Sequence, residues 1–114
     1  MNFLTRIASK SQTTPAAVKL PVAGVYHFVR EKSQEKSRIH LRIDQDGSGL
    51  LIVNASRVFH LNPSAAAMMF LALNQIPEQQ ATQLLHKRFN APKATLSHDY
   101  SNIYIELEDL VSNE

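Results

Sequence analysis

Residues 58–70 read VFHLNPSAAAMMF, and the fold turns on where extended chain gives way to helix within them. Up to Leu61, the side chains of Arg57, Phe59 and Leu61 alternate with those of Val58 and His60, the period of a strand with two unlike faces. Asn62 can accept hydrogen bonds from the first free amides of a helix. Pro63 suits the first helical position, where its missing N–H costs nothing. A helix is therefore expected from Pro63 to about Asn74. Its residues Ala65, Ala66, Ala67, Met68, Met69, Phe70, Leu71, Ala72 and Leu73 are apolar all round, so other elements must enclose it.

Working upstream, LLIVN follows the turn signal DGSG (Asp46 to Gly49) and pairs as a hairpin with residues 38–44, where Ile39, Leu41 and Ile43 alternate with polar neighbours. A further strand is expected from Val22 to Val29, separated from Ile39 by the charged stretch REKSQEKSR, which reads as a solvated loop. Residues 1–20 are rich in Ser, Thr, Lys and Ala and read as a flexible arm. Downstream, Pro77 opens a second helix over EQQATQLLHKRF, with Ala81, Leu84, Leu85 and Phe89 on one face. A third begins near Leu96 or Ser97 and lays Tyr100, Ile103, Tyr104, Leu107, Leu110 and Val111 along one stripe. The expected class is α+β, winged-helix-like: a small antiparallel sheet of three to four strands followed by three helices, in one domain over residues 21–114.

The 114-residue chain is long enough to bury a core. It contains no cysteine, which removes disulfides, thiol nucleophiles, iron–sulfur clusters and thiolate zinc sites. No stretch approaches the roughly 18 apolar residues of a membrane span, and the N-terminus lacks the apolar core of a secretory signal, so a soluble, cytoplasmic protein is expected. The net charge of +2 hides an asymmetry: residues 1–42 hold eight basic against two acidic residues, and residues 43–114 carry the compensating −4.

Chemistry is sparse. Histidines stand at 27, 40, 60, 86 and 98, none with a helical i, i+4 His partner, and polar strand faces explain the first three better than a metal site does. Ser64 lacks a nucleophile-elbow context. Asp99, Glu106, Glu108 and Asp109 suit a solvated helix face better than an opposed catalytic pair. No catalytic residues, cofactor or metal are expected, and the chain is read as no enzyme. Two binding modes remain. Winged-helix DNA recognition requires a cationic helix, yet no Lys or Arg occurs from Ala94 onward, so a DNA-binding transcriptional regulator is the weaker reading. Strand addition of an extended peptide to a sheet edge is the stronger, and Ile105, off the apolar stripe of the third helix, would line a groove between that helix and a strand.

From about residue 38 to 111, an ordered series of features resembles the PqqD family, the recognition domains for leader peptides of ribosomally made, post-translationally modified peptides. A strand ends in Leu61-Asn62 and leads into a helix with Ala65 and Ala66. A second helix holds Ala81, Leu84 and Leu85 and closes on Arg88-Phe89; Asp99 then precedes a final apolar helix ending at Leu107, Leu110 and Val111. The resemblance implies a non-catalytic, winged-helix-like peptide chaperone in cofactor or natural-product biosynthesis. Its partners would be a precursor leader peptide and a modifying enzyme, commonly a radical SAM enzyme, whose cluster this cysteine-free chain cannot itself hold. Carried over, the peptide-binding edge is Ser56, Arg57, Val58, Phe59 and His60, facing Asn102, Ile105, Glu106 and Asp109 of the third helix, with Phe59 and Leu61 as inward anchors. The arm and the extra strand extend the chain beyond the family core, which leaves open which edge is free and whether a domain-swapped or edge-paired homodimer forms instead.

Overall fold

The computed structural model describes residues 19–112. Four strands, β1 (Gly24–Lys32), β2 (Glu35–Ile43), β3 (Gly49–Val53) and β4 (Arg57–Leu61), form one antiparallel sheet in the order β1-β2-β3-β4. Three helices follow, α1 (Pro63–Leu73), α2 (Glu78–Arg88) and α3 (Lys93–Ser112). The α+β order of sheet, then helices, is as expected. None of the described helices is long and apolar enough to cross a membrane. Of the expected arm, residues 1–18 lie outside the described residues; Leu20 packs against the core and Pro21 is buried.

The charged stretch is no loop. β1 runs on to Lys32 and β2 starts at Glu35, joined only by Ser33 and Gln34, both at positive φ (52° and 71°). That is the type I′ geometry whose twist matches the strands it joins. The charges sit in strand pairs, Glu31 opposite Lys36 and Lys32 opposite Glu35, where opposite signs face each other.

The boundary inside VFHLNPSAAAMMF falls where the sequence places it. Asn62 Oδ1 accepts a hydrogen bond from the Ala65 amide at 2.8 Å, and the backbone carbonyl of Asn62 accepts from Ala66 N. α1 is buried at Ala66, Ala67, Met68, Met69, Leu71, Ala72 and Leu73, enclosed by the sheet on one side and by α2 and α3 on the others. Gly49 permits this approach: a Cβ there would meet Ala66 Cβ and the Arg42 carbonyl oxygen, each at 3.0 Å. The core joins Ile39, Leu41, Ile43, Leu51 and Val53 of the sheet to α1 and to Ala81, Leu85, Leu96, Tyr100, Leu107 and Val111.

α3 starts at Lys93, three to four residues before the expected position. The carbonyl of Pro92 accepts the Leu96 amide and so provides the first helical turn ahead of the apolar stripe. Two bonds tie α3 into place. Tyr100 donates its hydroxyl to the Ile76 carbonyl at 2.6 Å, and burial pushes that phenol's pKa up. Arg30 of β1 pairs with Glu108 at 3.0 Å, its guanidinium largely buried, and also reaches the Ala72 carbonyl at 3.4 Å.

Candidate functional site

β4 is the last strand of the sheet, and its far side pairs with nothing among the described residues; the same holds for β1. The direction of each backbone group on β4 follows from one hydrogen bond. The Asn54 amide donates to the Arg38 carbonyl at 2.8 Å, so residues 50, 52 and 54 turn their backbone groups toward β2. In an antiparallel ladder direction alternates residue by residue, so Gly49, Leu51 and Val53 turn toward β4. Their partners Leu61, Phe59 and Arg57 spend their N–H and C=O groups on β3. Val58 and His60 therefore present theirs at the open edge. Ser56 belongs to the preceding turn, its amide donating to the Val53 carbonyl at 3.2 Å.

Side chains on β4 follow the opposite bookkeeping. Arg57, Phe59 and Leu61 lie on the helix side of the sheet, Val58 and His60 on the outer face. Leu61 packs against the core as an inward anchor. Phe59 does not complete that role: its register partner Leu51 is buried, but the Phe59 ring is 37% exposed, because β4 has no neighbour beyond it to close over the ring. An aromatic side chain thus stands half-covered beside the outward N–H and C=O groups of two residues.

The four α3 residues expected to face this edge do not share one surface. Glu108 marks the flank of α3 turned to β1, through Arg30 and Lys32. Helical spacing places Asp99, Ile103, Glu106 and Leu110 on the opposite flank, with Asn102 and Asp109 at its solvent margin. Asn102 lines a cleft of about 240 Å³ with Asp99 and Ile103 of α3 and Asn62, Ser64, Ala65 and Met68, immediately after β4. Ile105, 60% exposed, lines a different cleft of about 420 Å³ with Gln75, Ile76, Pro77 and Tyr104. Its neighbour is the α1–α2 connection rather than a strand. A helical wheel separates core-facing from solvent-facing positions, but it does not say which neighbour lies beyond each flank.

Both flanks of α3 are acidic, Glu108 on one and Asp99 with Glu106 on the other, and Lys93 at its first turn is the one Lys or Arg residue of that helix. Glu78, at the start of α2, accepts hydrogen bonds from the hydroxyls of Ser97 and Ser101, which hold its carboxyl below the ordinary value of 4.5. Both serines belong to α3, so the contact fastens the two helices. Among the described residues, no three His, Asp or Glu side chains gather as metal ligands would. Comparison of the chain with known protein families, curated proteins and solved structures gives no match.

Proposed function

We propose that the chain is a non-catalytic peptide-binding domain that takes up an extended segment of a precursor peptide by strand addition at β4 and presents it to a modifying enzyme, of the radical SAM class that the PqqD resemblance implies. The observation that carries this reading is the open backbone of Val58 and His60 beside the half-covered Phe59 ring. Main-chain bonding to those two residues would supply affinity. Phe59 and the α3 flank with Asn102 and Glu106 would supply selectivity for alternate side chains of the added strand. Ile105 is no part of that wall, and Asp109 stands at its margin. An exposed edge in a protein is ordinarily blunted by charge, proline or a bulge; β4 carries none of these beyond Arg57, on its inner face.

The test begins with selection of linear peptides from a display library against the full chain. Amide hydrogen exchange is then measured with the selected peptide bound. Slowed exchange at Val58 and His60, with affinity lost when alternate peptide nitrogens are methylated, is the expected result. Peptides that leave those two amides unprotected, or a library that yields no binder, would overturn the reading.

A further inference from the structure

We propose that His27 and His40 form a two-imidazole site for a divalent transition-metal ion of the Cu2+, Ni2+ or Zn2+ class, placed on the outer face of the sheet. It is independent of the peptide edge. The two residues are direct cross-strand partners on β1 and β2. The ladder that leaves Val58 outward also makes Arg38, His40 and Arg42 bond to β3, so the β1–β2 bonds fall at Ile39, Leu41 and Ile43. His27 and His40 are thus a non-hydrogen-bonded pair, the kind whose Cα atoms approach to about 4.5 Å and whose side chains stand closest. The two-residue turn agrees, since it closes on Lys32 and Glu35 and the bonded pairs count in twos from there.

The two rings are already in edge-to-face contact. Their centroids are 4.3 Å apart with an interplanar angle of 71°. A metal ion about 2.0–2.1 Å from a ring nitrogen lies about 3.2 Å from the ring centre, so two imidazoles at tetrahedral or square-planar cis angles have centroids about 4.5–5.2 Å apart. The rings would have to separate by about 0.2 Å for a square-planar cis pair and about 0.9 Å for a tetrahedral one, which a rotation of two exposed side chains can supply. Both residues are exposed, and no described group hydrogen-bonds to either ring.

The surroundings select the kind of ion. Ile52 and Val58 continue the same row across β3 and β4, and Val25 and Val29 flank His27 along β1. No carboxylate joins the pair, so Ca2+ and Mg2+, which require oxygen ligands, are not served, whereas imidazole suits Cu2+, Ni2+ and Zn2+. His60 shares the face but stands two strands from His40, more than about 9 Å away, and cannot be a third ligand. The remaining coordination positions open to solvent. Arg38 and Arg42 lie two residues to either side of His40, and Asp44 holds Arg42 at 3.0 Å. These guanidinium groups favour an anionic donor, such as a partner's carboxylate, in the open positions.

Isothermal titration of the full chain with CuCl2 and with ZnCl2, beside His27→Gln, His40→Gln and His60→Gln, tests the site. The expected result is one ion per chain, bound about tenfold or more tightly by the parent and by His60→Gln than by either of the other variants, because the second imidazole acts at high effective concentration. The electron paramagnetic resonance spectrum of the Cu2+ complex should carry coupling to two imidazole nitrogens, reduced to one in His27→Gln. All three positions are exposed, and circular dichroism checks that each variant folds. Absence of binding, binding unchanged by His27→Gln or His40→Gln, or dependence on His60 instead would each overturn the proposal.

Discussion

Replacing Val58 by proline separates the outward backbone of β4 from its inward backbone, and the two sides carry different free energies. Proline at 58 deletes an N–H that points away from β3, so the ladder to β3 stays whole, and edge strands accept proline on their outer side. The expected change in folding stability is within about 1 kcal/mol. Proline at 59 deletes an N–H that bonds to Leu51 and strands that carbonyl, about 1–3 kcal/mol, and also removes the partly buried ring, so the variant is expected to cost about 2–5 kcal/mol in all. Binding reverses the ranking. An added strand loses one main-chain bond at Val58→Pro, worth about 0.5–1.5 kcal/mol net, a two- to tenfold weaker Kd, and the ring further obstructs close approach. Urea unfolding of both variants, with anisotropy titrations of a selected peptide, reads the two effects separately. If Val58→Pro unfolds as readily as Phe59→Pro, the alternation deduced from the Asn54–Arg38 bond is wrong. A folded Val58→Pro protein with undiminished peptide affinity refutes the edge as the binding surface.

Phe59→Ala should cost about 1–2 kcal/mol in urea unfolding, the transfer value of a ring a little under two-thirds buried, rather than the 3–5 kcal/mol of a fully enclosed phenylalanine; a loss of 4 kcal/mol or more would place the ring in the core. Tyr100→Phe removes the 2.6 Å bond to the Ile76 carbonyl and should lower stability by about 1–2 kcal/mol with no change in far-ultraviolet circular dichroism. Glu78 has a folded pKa below its ordinary value, so its contribution is fully present above pH 4.5 and is lost as pH falls through the lower folded value. Glu78→Gln should therefore flatten the dependence of the urea midpoint on pH across that acid range, and an unaltered acid slope would count against the link to Ser97 and Ser101.

Elements whose own residues carry the physical cause were legible before any coordinates. Asn62 and Pro63 mark the strand-to-helix boundary because a cap and a first-turn proline act locally, and the all-apolar α1 announces its own enclosure. The β1–β2 hairpin was hidden because Ser33 and Gln34 adopt the left-handed conformations usually marked by Asn-Gly, and nothing in their side chains advertises it. The division of α3 into two unlike flanks was hidden for another reason. It depends on Glu108 meeting Arg30, residues 78 positions apart.

The hairpin turn also shows why the outer-face histidine pair lies beyond sequence reading while depending wholly on sequence. With two residues in the turn, Lys32 pairs with Glu35, and counting back places His27 opposite His40. A third residue would move the register by one and set His27 against a position whose side chain points into the core, which the buried faces of Ile39 and Leu41 forbid. The apolar alternation of β2 thus selects the turn length, and the turn length selects the pairing. Two histidines thirteen positions apart become neighbours as a consequence of which side of β2 is oily, and the same counting, carried through β3, leaves Val58 and His60 with their backbones turned outward.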